Sequence, residues 1–237
     1  MPTDIITRLQ QQLAAAADPE FQTRQQHYSK EKIDSLGVKT GTVRAIAKAF
    51  EPEIKALPLE ECLNHCTQLL AHGIAEYRCA ALQWAFARRK ELKTNHYALL
   101  EEWLRDHVHN WADCDQLCCE VFVDFMMRHP SFFQNVLTWA QSQNRWERRA
   151  AAVILIKELR KKGDTLPLLF QVAEILLPDP DDLVQKGYGW ALKEATETHL
   201  DRTLPWIMSH KAQMPRTALR YAIEKLPEPQ RQAALSR

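Results

Sequence analysis

Apolar residues recur at three- and four-residue spacing along almost every stretch of ten or more residues, and strict alternation never persists long enough for a strand. The pattern predicts helices throughout and no sheet. Prolines at 19, 52, 58, 130, 167, 178, 180, 205, 215 and 227, together with Gly163, punctuate the periodicity and predict helices of roughly 10 to 18 residues. In the segment after residue 110, a helix over 116–127 is expected, with Asp113 as the acid that caps it.

A second pattern is superposed on the first. A basic or polar residue is followed by small residues and then large apolar ones, as a helix needs for close approach to a neighbour. It occurs at Arg44-Ala45-Ile46-Ala47, Arg78-Cys79-Ala80-Ala81, Leu117-Cys118-Cys119, Arg149-Ala150-Ala151-Ala152, Lys186-Gly187-Tyr188-Gly189 and Thr217-Ala218-Leu219-Arg220, with first residues separated by 34, 39, 32, 37 and 31 positions. A period near 35 with one helix pair per unit is the mark of a HEAT- or armadillo-type array. The expected fold is therefore all-α: an α-solenoid of about six HEAT-like helix pairs, residues 1–237 forming one domain with a concave face. The second helices of successive pairs would line that face, and Arg44, Arg78, Arg149 and Lys186 would stand along it. Such a row suits a duplex backbone, although each cation read singly is a solvated helix start.

Composition narrows the class without changing the fold. The longest unbroken apolar run is Ala150–Ile156, too short for a bilayer span, and the start MPTDIITRLQQQL lacks the apolar core of a secretory signal. A cytoplasmic protein, nucleoid-associated if the source is prokaryotic, is expected, with no membrane partner. In a reducing compartment its 6 cysteines would be small core residues and not disulfides. The net charge of +1 argues little for nucleic acid, but its distribution does: residues 141–162 hold 7 Lys/Arg against 2 Asp/Glu, so a local positive field remains.

Three fragments hold the candidate chemistry: Asn110-Trp111-Ala112-Asp113-Cys114-Asp115, Asn144-Arg145-Trp146-Glu147-Arg148-Arg149-Ala150-Ala151, and Val184-Gln185-Lys186-Gly187-Tyr188-Gly189-Trp190-Ala191-Leu192-Lys193-Glu194. Each lies near the start of a second helix, in consecutive repeats. With them in place, nearly the whole chain resembles the AlkD-like HEAT-repeat DNA glycosylases, the DNA alkylation repair enzymes. The resemblance implies a cleft built from a Trp and an Asp four residues apart (Trp111, Asp115), an Arg in a W-x-x-R-A-A segment (Arg149) and a Trp in a Q-K-x-x-G-W segment (Trp190). It also implies a Tyr upstream of a Leu-Gly pair, met here by Tyr28 before Leu36-Gly37. Asn110 departs from relatives that carry a second Trp there.

What this implies is a glycosylase acting on N3- and N7-alkylated purines in duplex DNA, a monomer with no cofactor and no metal. Its catalytic set is Asp115, Trp111 and Trp190. Its DNA contacts are Arg149, Tyr28, Arg148, Lys186, Lys193, Arg44 and Arg78. An alkylated purine is cationic and needs little acid help to leave, so a carboxylate near the sugar can stabilise the oxocarbenium-like centre and place a water. Two Trp faces suit a cationic base, and a guanidinium fork suits a phosphate. Taken without the resemblance, a helical Trp is core, as expected for Trp84, Trp103, Trp139 and Trp206.

Cys62 and Cys66 with His65, and His107 and His109 with Cys114, lack the paired spacing of structural zinc sites. No Gly-rich phosphate loop or G-x-S-x-G elbow is present. Two other classes stay open on the residues alone: a non-catalytic solenoid that binds bent or branched DNA by shape, and a protein-interaction scaffold.

Overall fold

The structure, a computed structural model, describes residues 4–28 and 32–236, Tyr28 by its backbone alone. Among the described residues, regular structure is helical and no strand occurs. The chain divides into two compact units, Met1–His107 and Val108–Arg237.

In the first unit, α1 (Ile5–Ala15), α2 (Pro19–Tyr28), α3 (Thr40–Ala49), α4 (Glu51–Ala56), α5 (Leu59–Ala71), α6 (Ala75–Arg88) and α7 (Tyr97–Glu102) succeed one another. α6 packs on α3, α4 and α5. Its Trp84 is fully buried, and the indole N–H donates to the Ala47 carbonyl at 3.0 Å. Arg88, also buried, donates to the Ile54 and Leu57 carbonyls at 2.7 and 3.0 Å, meeting the unpaired C-terminal carbonyls of α4. A buried carboxylate helps to hold the loop before α3: Glu76 accepts from the Ser35 hydroxyl and the Leu36 and Val38 amides, each at 2.9 Å. Gly37 in that loop has φ +80°, and a Cβ there would lie 2.3 Å from the Asp18 carbonyl, so the Leu-Gly pair has a steric reason.

The second unit runs through α8 (Trp111–Gln116), a π-helical stretch Leu117–Phe122, α9 (Val123–Arg128), α10 (Val136–Trp139), α11 (Arg145–Val153), α12 (Ile156–Arg160), α13 (Leu166–Leu176), α14 (Asp182–Thr198), α15 (Leu200–His210), α16 (Arg216–Ala222) and α17 (Glu228–Leu235). α8 packs on α11, α11 on α14 and α14 on α16, while α10, α13 and α15 pack against these from their own pairs. That is a stack of helix pairs, as the period predicts. Its chemical imprint is plain in the polar contacts: Asp115 with Arg149, Arg149 with Leu183 and Arg160 with Glu194 each join residues 34 positions apart.

Small residues make the stack tight. Ala150, Ala151 and Ala152 are completely buried in α11, and a Cβ on Gly189 of α14 would sit 2.7 Å from the Ala218 carbonyl of α16. Trp84, Trp103, Trp139 and Trp206 are all buried, as expected. The six cysteines are free thiols, four of them buried.

Two local expectations are corrected. The helix expected over 116–127 begins five residues earlier, at Trp111, and its cap is Asn110. The Asn110 side chain accepts from the Asp113 amide at 2.9 Å and donates to the Asp113 carboxylate at 2.9 Å, so Asp113 is the reciprocal third residue and not the cap. Pro205 does not end a helix but lies inside α15. It is exposed, so the carbonyl left without an N–H partner can face water.

Candidate active site

The site belongs to the second unit and is assembled from three helices, α8, α11 and α14. Asn110 begins α8 with Trp111 as its first residue, and Asp115 follows four residues on, on the same face. Trp111 is 55 % exposed, whereas the other large apolar side chains of the unit are at least partly covered, the next most open being Leu200. The indole is therefore a little more than half open to solvent. Two residues after Asp115, at Leu117, the helix widens into the π-helical stretch, a distortion frequent at functional sites.

α11 supplies the partner of Asp115. Capped by Asn144, whose side-chain oxygen accepts from the Trp146 amide at 2.9 Å, it presents Arg145, Arg148 and Arg149. Arg149 is 5 % exposed and closes a fork on Asp115: Nε donates to Oδ1 and the Nη2 amine to Oδ2, both at 2.8 Å. Its remaining Nη1 amine donates to the Leu183 carbonyl at 2.5 Å. Burial by itself would lower the guanidinium's pKa, but the hydrogen bonds and charge of Asp115 outweigh it and hold it above its ordinary value. The carboxylate therefore has a fixed cation and a fixed orientation, with its side chain still 18 % open to solvent.

α14 closes the third side. Gly187 packs against Arg149 so closely that a Cβ would stand 3.1 Å from the Arg149 Cγ. Three residues later on the same helix comes Trp190, half-buried, one turn along from that contact. Its indole N–H donates to Glu194 Oε1 at 3.0 Å. Glu194 is 3 % exposed; Arg160 of α12 donates to its Oε2 at 2.8 Å, and the Lys225 ammonium stands 3.9 Å from Oε1. Burial would raise the Glu194 pKa, but the hydrogen bonds from Arg160 and Trp190 and the two positive charges bring it below its usual value, so it is ionised at neutral pH.

The Cys119 thiol beside this group is inert. Burial, and then the charge of Asp115, push the Cys119 thiol well above its ordinary range, which leaves no thiolate to attack. Among the described residues, no three His, Cys, Asp or Glu side chains converge as metal ligands. A hollow of about 660 Å³ on α15, lined by Leu200, Asp201, Leu204, Pro205 and Met208, shares no residue with the site.

The expected site residues thus separate into groups. Asp115 is in contact with Arg149, Arg149 also touches the start of α14, Trp190 stands a turn beyond, and Trp111 shares a helix face with Asp115. The fork expected to grip phosphate is instead closed on Asp115. Arg148 is turned inward: it donates to Asp179 at 2.6 Å and to the Ser142 and Gln143 carbonyls at 3.0 Å, tying α11 to the loop before α14. Arg78 is likewise not on an exposed row. At 3 % exposure it donates to the Gly73 carbonyl, where the chain leaves α5 and needs a donor. Lys186 reaches Asp182 at 3.2 Å, and Lys193 reaches Glu224 at 3.1 Å with its side chain largely covered. Arg44 is exposed on α3, in the first unit. The side chain of Tyr28 lies outside the described residues.

Sequence alone marked neither Glu194 nor Gly187 as a site residue, and read Arg160 as a helix-end cation and not as the partner of Glu194. Their signal was present: Arg160 and Glu194 carry opposite charge one repeat apart, as Asp115 and Arg149 do.

An α-helical repeat protein with a carboxylate held by arginine between two tryptophan-bearing helices is the class these features define. The chain belongs to the DNA alkylation repair enzyme family, whose model matches residues 9–226. No curated protein matches it. Among solved structures it is similar to a predicted DNA alkylation repair enzyme from Enterococcus faecalis, at 17 % identity and a TM-score of 0.79, covering 90 % of this chain and 97 % of that one. At that identity the likeness establishes the shared fold.

Proposed function

We propose that the protein is a DNA glycosylase that hydrolyses the N-glycosidic bond of N3- and N7-alkylated purines in duplex DNA, as a monomer without a cofactor and with residues 1–237 acting as one domain. The observation that carries this reading is the pairing of an exposed Trp111 with Asp115 one turn away, both oxygens of the carboxylate held by Arg149. The family, whose model runs across both units, supplies DNA alkylation repair as the setting.

In this reading the cationic base stacks against the indoles, each contact worth on the order of 0.5 to 2 kcal/mol once desolvated. The C1′–N bond breaks with its electron pair going to the base, which neutralises the base's charge. Asp115 faces the oxocarbenium-like sugar and orients a water, whose oxygen attacks C1′ and whose proton passes to the carboxylate. The Arg149 fork takes one lone pair on each Asp115 oxygen, leaving a second on each for water and sugar. Arg149 is thus a positioning residue in the free protein, and a phosphate would have to compete with Asp115 for it.

The test is release of free alkylpurine from methylated duplex by wild type and by Asp115→Asn. Release by wild type and its loss in the variant are expected. Equal release from the two removes the role given to Asp115, and no release from wild type removes the glycosylase reading. Affinity for duplex without release would favour the shape-selective binder, which the resemblance of the Asp115–Arg149 pair to the stacking pair Arg160–Glu194 keeps as the second reading.

A further inference from the structure

We infer that Glu194 is a positioning residue for the Trp190 ring, its ionised carboxylate fixing the indole plane and enriching its face for a cationic ligand. The inference rests on the proposed function for the identity of that ligand, an alkylated purine. Its grounds are geometric. Glu194 sits one helical turn after Trp190, buried, and takes the indole N–H at 3.0 Å on one oxygen while Arg160 holds the other at 2.8 Å. The carboxylate is thereby anchored from α12, a different helix from the one that carries the tryptophan.

Two consequences follow from the chemistry. A half-buried tryptophan would otherwise sample several χ1 and χ2 settings, and a charge-assisted hydrogen bond to an immobile acceptor removes that freedom before the ligand arrives. Donation of the N–H to a full negative charge also pushes electron density into the indole, strengthening the attraction of its face for a cation. Were the cluster only a helix staple, Arg160 and Glu194 would suffice and the indole bond would carry no function.

The experiment uses the full chain, with wild type, Glu194→Gln, Trp190→Phe and the double variant. Glutamine keeps the volume and an acceptor but removes the charge, and Arg160 is exposed enough to be solvated in its absence. Three quantities are read: the Trp190 indole proton resonance, assigned by its disappearance in Trp190→Phe; the preference for methylated over undamaged duplex in equilibrium binding; and single-turnover base release. Glu194→Gln is expected to shift the indole resonance upfield and to cut both the binding preference and the release rate roughly tenfold, about what a desolvated cation–π contact is worth. Affinity for undamaged duplex should hold, and the penalty should vanish in the Trp190→Phe background. An unmoved resonance, or a penalty undiminished in that background, overturns the inference. If wild type releases no base, the glycosylase reading falls while the resonance and the binding preference still decide the role of Glu194.

Discussion

Asp115 has both carboxylate oxygens engaged by one buried guanidinium, and this governs how its function can be tested. Truncating it to alanine strands the Arg149 charge in a site 5 % exposed, and removing one partner of such a pair costs about 3 kcal/mol. Asp115→Ala is therefore expected to lower the thermal midpoint by roughly 6 °C or more for a chain of this size, whereas Asp115→Asn, whose amide oxygen still accepts from the guanidinium, loses less. Circular-dichroism melts check this, and an alanine variant as stable as wild type would mean the pair holds nothing in place. The residue scale is also where reading the sequence was least complete. That the helices of Asp115, Arg149 and Trp190 stack in succession was legible through their matching places in successive repeats. That Arg149 faces Asp115, and that Arg78 and Arg148 face carbonyls and acids inside the protein, was not, because a side chain's partner depends on what the neighbouring repeat offers it.

At the scale of the helix the same substitution carries opposite signs in two places. Gly41, exposed on α3, has nothing within 4 Å of the position a Cβ would take, so Gly41→Ala gains helix propensity and is expected to stabilise by about 0.5 to 1 kcal/mol. Gly189 on α14 meets the Ala218 carbonyl at 2.7 Å, a backbone atom that cannot swing aside, so Gly189→Ala is expected to destabilise despite the same propensity gain. Urea titrations of both variants measure the difference, and a shared sign would contradict the packing of α14 on α16. The close-packing role of Gly187 and Gly189 was legible in the small-residue pattern. The true start of α8 was not: its first turn exposes Trp111 instead of burying it, so the apolar periodicity sets in only at Leu117, and the cap at Asn110 had to be seen to be placed.

For the whole molecule, the near-neutral net charge of +1 sets an expectation distinct from that for a strongly basic binder. Arg78, Arg148 and Arg149 are committed to internal partners, so fewer cations of the expected set are left to displace counterions. Affinity for undamaged duplex is expected to fall with added salt along a shallow slope, each phosphate contact contributing roughly 0.9 to the slope of log K against log salt. Fluorescence anisotropy from low to physiological salt reads it directly. Duplex affinity wholly insensitive to salt, or none at any salt, would instead favour a protein-interaction scaffold.

By itself the sequence determined the helical class, the repeat period and the short set of residues worth testing, because periodicity, glycine placement and motif order are local properties that each segment declares alone. Tertiary structure decided which charges are spent inside the fold and which are left for a ligand. Contacts one repeat apart join residues some 34 positions distant in the chain, and only the stacking of one helix pair on the next selects Asp115 for Arg149 and Glu194 for Arg160.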